Sequence, residues 1–176
     1  MRSVIASSAL RRRLVLLLTL CTLAVTGCGF HLSRPPELPF DSLYVSAPNF
    51  SSFGSELKRY LAGNSHTRLV DRPEEAQVIL EIISEQQESQ IVALSTAGKV
   101  NEYLLHYRLL FSLRDREHHQ WIAPTEILLT RDMTYDDTEV LAKENEQGTL
   151  ILDMRQDAVR QVVRRLARAR APEPAS

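Results

Sequence analysis

Cys28 has the most specific chemical setting in the chain. It follows Val25-Thr26-Gly27, the end of an apolar run from Leu14 to Val25 that itself follows Arg11, Arg12 and Arg13. A basic stretch, a short apolar stretch and small residues just before a cysteine mark a bacterial lipoprotein signal, in which a peptidase needs room to bring the backbone close. Val25 stands where leucine is commonest. The chemistry implied is acylation, with a diacylglycerol on the Cys28 sulfur and an acyl chain on the new amino terminus. At about 1.5 Å per residue the apolar run is too short for a hydrocarbon core of about 30 Å, so residues 1–27 read as a cleaved signal and not a membrane span.

Cleavage makes 28–176 the mature chain. Cys21 leaves with the signal and Cys28 is committed to lipid, so the domain is expected to hold no disulfide despite an oxidising compartment. Several acyl chains give stable attachment, since each buried methylene contributes about 0.8 kcal/mol. Gly29 follows the cysteine; by resemblance to enteric lipoproteins, a residue other than aspartate here permits export to the outer membrane. The 21 basic and 22 acidic residues become 17 and 22 once Arg2, Arg11, Arg12 and Arg13 are lost, a net of about −5. That suits a soluble domain and lacks the basic excess that nucleic acid requires.

Other reactive groupings are thin. The histidines are His31, His66, His106, His118 and His119, with no His-Glu-x-x-His and no cysteine pair, so no metal site is expected. His106 reads as a surface or structural residue. Asp136-Asp137 is a carboxylate pair in a turn with no companion motif for hydrolysis. Ser51-Ser52 has no nucleophile-elbow context, and no glycine-rich phosphate loop is present. The chain reads as no enzyme and as needing no cofactor beyond the acyl chains on Cys28.

The elements that follow read as one domain. Pro35, Pro36 and Pro39 make 28–40 a lipidated N-terminus and stiff leader, extended at about 3.1 Å per residue. Residues 41–170 form the domain and 171–176 a disordered tail. Leu43-Tyr44-Val45 predicts a short strand. Phe50, Phe53, Leu57, Tyr60 and Leu61 predict a helix over 51–62, capped by Ser51 or Ser52 and stopped at Gly63-Asn64. Val78–Ile83 predicts a second strand. Tyr103, Leu105, Tyr107, Leu109, Phe111 and Leu113 alternate with mostly polar residues and give the strongest strand signal. A hairpin turn at 96–99 joins that strand to residues 90–95. After a polar turn at 115–120, Trp121 to Tyr135 predicts a fourth strand. Residues 139–169 read as a helix with Asp137 or Thr138 at its cap; Ile151, Met154, Ala158, Val162 and Leu166 form its apolar stripe. Arg160, Arg164 and Arg168 form a ridge on the far side, read as a solvated face, with Gly148 a point of fraying or bending. The expectation is an α+β domain of order β-α-β-β-β-α, two helices on one face of a mostly antiparallel four-stranded sheet. The other face must be polar or meet a partner.

Three stretches carry a family likeness: Cys28-Gly29-Phe30-His31-Leu32, the Gly98 hairpin followed by Glu102-Tyr103, and Leu141-Ala142-Lys143-Glu144-Asn145-Glu146-Gln147. Together they resemble the LptE family of lipopolysaccharide-assembly lipoproteins over nearly the whole mature chain. The resemblance implies an outer-membrane protein, lipid-anchored on the periplasmic side, that sits as a plug inside the LptD β-barrel. It would assist barrel assembly and the placement of lipopolysaccharide in the outer leaflet. It also implies lipopolysaccharide contact through basic residues at one end of the domain. Lys143 falls on one such position. The other falls on Thr96, uncharged here, and Lys99 three residues on stands in for it. A lysine ammonium is a compact charge suited to phosphate and acts over about 8 Å at physiological salt. Ser84–Gln90, polar throughout, suits contact with a hydrated lumen. The alternative readings are a lipid-carrying periplasmic lipoprotein with its own acyl-chain cavity and, behind it, a periplasmic hydrolase.

Overall fold

A computed structural model describes residues 37–48 and 51–171. Cys28, its signal and the leader as far as Pro36 lie outside the described residues, as do Phe50 and the tail from Pro172.

The first strand, β1 (Ser42–Ser46), leads into helix α1 (Ser52–Asn64), a short strand β2 (Arg68–Val70) and a single 3-10 turn at Pro73–Glu75. Three long strands follow, β3 (Val78–Leu94), β4 (Val100–Asp115) and β5 (Gln120–Thr134), and then helix α2 (Val140–Leu166). The sheet order is β2-β1-β3-β4-β5. The three long strands form the expected antiparallel meander, while β1 runs parallel to both β2 and β3.

The α+β class is therefore as expected, but the sheet has five strands and not four. The additional strand is only three residues long, too short for alternation to reveal it. Its existence depends on pairing: Leu43 lies opposite Leu69, and the Arg68 amide donates to the Asp41 carbonyl at 2.9 Å.

Alternation makes the core. Leu105, Tyr107, Leu109, Phe111 and Leu113 of β4 are fully buried. They share a layer with Phe53, Leu57 and Leu61 of α1 and with Met154, Ala158, Val162 and Leu166 of α2. Both helices thus pack on one face. Ser51 caps α1, its Oγ accepting from the Gly54 amide at 3.0 Å.

Strand β3 carries an irregularity between Ile82 and Ser84. Before it, Val78, Leu80 and Ile82 face the helices. After it, register puts Glu85, Gln87 and Ser89 opposite the buried-face residues Leu109, Tyr107 and Leu105. One extra residue in a strand reverses the side-chain parity, and Ile83 is left 42% exposed. The polar stretch Ser84–Gln90 is accordingly strand.

The start of α2 also differs from expectation. Its N-cap is Glu139, with no side-chain cap bond. Asp136 Oδ1 instead accepts from the Thr138 amide and hydroxyl, at 2.9 and 2.8 Å, and Asp137 is drawn to Lys99. The acids therefore build the turn and leave the helix end uncapped. The helix runs unbroken through Gly148 and ends at Leu166.

Candidate functional site

Two ends and one face of the sheet carry the polar chemistry. At the β3–β4 hairpin, Ser95 and Lys99 close the turn: the Ser95 amide donates to the Lys99 carbonyl at 2.7 Å, and the Gly98 amide to the Ser95 carbonyl at 2.9 Å. Gly98 has φ +77°, the left-handed region that a residue without Cβ enters freely. Lys99 is thereby projected from the tip, its side chain 66% exposed, and Nζ donates to Asp137 Oδ2 at 2.6 Å.

The turn between β5 and α2 lies against this hairpin, tied by the Tyr135 amide donating to the Asn101 carbonyl at 2.8 Å. The Tyr135 ring meets that of Tyr103 edge-on at 5.3 Å. Lys143, in the first turns of α2, points back toward the same place. Its Nζ donates to Thr134 Oγ1 at 3.2 Å and to Glu146 Oε2 at 2.9 Å, and its side chain is only 15% exposed. Asp136 sits in the field of both lysines. Its carboxyl is held below the ordinary range, first by the Thr138 amide and hydroxyl and then by the charges of Lys143 and Lys99. Lys99 is held above its ordinary value by the Asp137 hydrogen bond and charge.

The two lysines named from sequence are thus at one end of the domain, while Thr96 is an exposed, uncharged residue of the turn. Neither ammonium is free. An arriving phosphate would compete with Asp137 for Lys99 and with Glu146 for Lys143. Sequence reasoning missed the apolar character of this end. Ile91, Val92 and Leu94 of β3 are 50, 47 and 59% exposed, and Leu141 of α2 is 76% exposed. The run Ile91-Val92-Ala93-Leu94 was the available signal.

The sheet face away from the helices is polar, with apolar residues set singly among charges. Arg108 on β4 pairs with Glu126 on β5 at 3.1 Å, and the His106 ring meets Gln90 Oε1 at 3.3 Å. Arg114 approaches Glu81 at 3.9 Å. Leu128 opposes Arg108, and Leu110 opposes Glu126. Beyond Glu81, β3 has no partner on its β1 side, and β5 has none on its outer side, so two long strand edges are unpaired among the described residues.

The carboxylates and histidines do not converge for hydrolysis. Asp136 and Asp137 serve turn and ion pair. His119 belongs to the β4–β5 turn, where its Nδ1 lies 3.0 Å from Asp115 Oδ2. Asp115, at the end of β4, and Glu117 and His119, in the turn that follows, stand close enough to hold an ion. Arg160 of the ridge pairs with Asp157. No helix among the described residues is long and apolar enough to cross a membrane.

The family model described as "LptE: Lipopolysaccharide-assembly" matches residues 40–166. A relative in Yersinia pestis (strain Pestoides F), named LPS-assembly lipoprotein LptE, is 28% identical over 167 residues, covering 92% of this chain and 79% of the relative. The solution structure of a lipoprotein B from Nitrosomonas europaea superposes with TM-score 0.70 at 34% identity, over 79% of this chain and 90% of that one. The crystal structure of the rare lipoprotein B from Shewanella oneidensis shares the fold, with TM-score 0.61 at 24% identity over 72% and 93% of the two chains.

Proposed function

The chain belongs to the LptE family of lipopolysaccharide-assembly lipoproteins, and on that premise we propose that it occupies the lumen of the LptD β-barrel. It helps that barrel assemble and assists passage of lipopolysaccharide to the outer leaflet. The supporting observation is the open sheet face. An isolated sheet covered on one side leaves the other for water or a partner, and here that face carries Arg108, Glu126, His106 and Gln90 among scattered leucines. A hydrated barrel lumen is matched by such a surface, with recognition through hydrogen bonds and charge. Chemical turnover has no part in this role, and no cofactor is required.

Cys28 carries the acyl chains that hold the domain at the periplasmic side of the outer membrane, with 28–40 as the spacer before the domain. Lys99 and Lys143 contact lipopolysaccharide phosphate, exchanging Asp137 and Glu146 for it, while the exposed Ile91, Leu94 and Leu141 suit its apolar portion. A lipid-carrying role draws less support: the clefts bordered by Asp115 and Arg68, or by Glu74 and Arg116, are open and charged, unsuited to sheltering acyl chains.

Photocrosslinking in intact cells tests the reading. Probes at Arg108 and Thr130 on the open face should capture one large β-barrel protein. Probes at Thr96 and Lys143 should capture lipopolysaccharide or the same barrel. Absence of any barrel adduct from the open face removes the plug assignment.

A further inference from the structure

We propose that the cleft between the start of β5 and the C-terminal turn of α2 is a binding site for a phosphate-type anion, separate from the lysine end. The cleft has a volume of about 400 Å³ and is bordered by Trp121, Thr125, Arg165, Arg168 and Arg170, with no acidic residue in its lining among the described residues. Two hydrogen-bond donors there are buried and unpartnered: the Trp121 indole Nε1 and one terminal nitrogen of Arg165. Buried donors are almost always satisfied, so two of them on residues that line one cleft signal a missing acceptor.

Charge points the same way. None of Arg165, Arg168 and Arg170 forms an ion pair among the described residues, whereas Lys99, Lys143, Arg108, Arg131 and Arg160 all do. Arg165 and Arg168 are three apart and lie on one side of the helix end. Arginines at a helix C-terminus do offset its partial negative charge, but that role needs no buried guanidinium nitrogen. A guanidinium fork and an indole N–H both suit the oxygens of a phosphate, which accepts several charge-assisted bonds at once.

The position adds a possible source. The Trp121 ring packs edge-on against Phe40 at 6.2 Å, and Phe40 is where the leader joins the domain. Phe40 lies twelve positions after Cys28, a reach of about 40 Å when fully extended. A phosphodiester on a membrane surface and a free phosphate are therefore both within the cleft's chemistry.

Trp121 is the chain's single tryptophan, and because it also borders the cleft of Asp41 and Asp115, the Arg165 and Arg168 variants are what assign its signal to this one. The experiment uses the full mature chain with Cys28→Ala, which removes acyl anchoring as a cause of vesicle binding. The Trp121 indole N–H resonance is followed against inorganic phosphate, with chloride holding ionic strength constant. Intrinsic fluorescence is followed against vesicles of phosphatidylcholine with and without phosphatidylglycerol. A saturable response is expected, weakened about tenfold or more in Arg165→Gln through loss of charge-assisted bonds and retained in Arg160→Gln. Response to phosphate alone identifies a soluble anion, and response only to phosphatidylglycerol vesicles identifies a headgroup; either supports the site. Should Arg165→Gln fail to fold by circular dichroism, the exposed Arg168→Gln must show the weakening. Silence in both arms, an equal effect of chloride, or full binding by whichever of these two variants is folded overturns the proposal.

Discussion

The Tyr107 hydroxyl donates to Glu85 Oε1 at 2.8 Å, joining the middle of β4 to the first helix-facing residue after the irregularity in β3. Glu85 is nearly buried and also receives the Ser51 hydroxyl at 2.7 Å and the Phe53 amide at 3.2 Å, so one carboxylate binds both sheet strands to the start of α1. Arg155 of α2 stands 3.7 Å away and supplies the opposing charge. The network closes the core where helical cover gives way to exposed strand. A carboxylate placed so is tolerated because its partners replace water.

Tyr107→Phe keeps the ring and removes one of those partners. The expected cost is about 1–3 kcal/mol, the penalty for under-satisfying a buried charged acceptor. Urea denaturation should show a lower midpoint with an unchanged slope. The same hydroxyl governs alkaline stability. Burial first, and the Glu85 bond second, hold it above its ordinary value of 10.0. A raised folded value contributes stability that is complete below the unfolded value and lost as pH climbs above it. Wild-type protein should weaken progressively above pH 10, and Tyr107→Phe should lose less over the same interval.

Acid acts at the other end of the strands. For Asp115, burial alone would raise the carboxyl, but the His119 amide at 2.8 Å and the His119 ring more than offset it, leaving it below its ordinary 3.8. A depressed folded value gives stability present above the unfolded value and lost as pH falls through the folded one. The Asp115 carboxyl carbon resonance should therefore titrate with a midpoint below 3.8, and Asp115→Asn should remove that transition. A transition centred well above 3.8 would show that the turn does not stabilise the carboxylate.

Much of this architecture is legible in the chain because it rests on local, repeated signals. Tyr103 to Leu113 alternate without interruption, Ser51 precedes an apolar periodic run, and Gly98 sits where a turn needs positive φ. What escapes is nonlocal. Arg68–Val70 is a strand only because β1 lies beside it. The parity change after Ile82 is invisible until β4 supplies a register. Asp136 and Asp137 leave the helix cap because Thr138 and Lys99 compete for them. At the candidate site, Lys99 and Lys143 could be named from the family likeness, but not that each is held by an acid. The arginine cleft depends on Trp121 meeting the end of α2 across 44 positions of sequence.

Reversing both lysine charges, Lys99→Glu with Lys143→Glu, should weaken lipopolysaccharide binding, with the difference from wild type largest at low salt and shrinking as screening rises. Lys99 is exposed, so its single substitution should leave the melting temperature essentially unchanged. Lys143 is more enclosed and bonded to Thr134, and its substitution should lower it. Undiminished binding by the double variant at low salt would remove both residues from the contact.

Cys28→Ala tests the anchor separately from the domain. The residue precedes the first strand by fourteen positions, so the variant should keep wild-type circular dichroism and partition into the soluble periplasmic fraction. Loss of the folded signal would instead make the leader part of the domain.

Two glycines should respond to alanine with opposite signs. Gly54, buried in the first turn of α1, faces Ala47 so closely that a Cβ would come within 2.8 Å of the Ala47 Cβ. Neither methyl can swing aside, and the start of α1 is held by the Ser51–Glu85 network, so Gly54→Ala should destabilise by about 1–3 kcal/mol through overpacking. Gly148 lies within α2 with nothing within 4 Å of an added Cβ. There alanine removes the backbone-entropy penalty of glycine in a helix interior, and Gly148→Ala should stabilise by about 0.5–1 kcal/mol. Urea midpoints of the two variants should bracket the wild type. A fall in the Gly148→Ala midpoint would mean that the exposed side of α2 needs the bend that only glycine permits there.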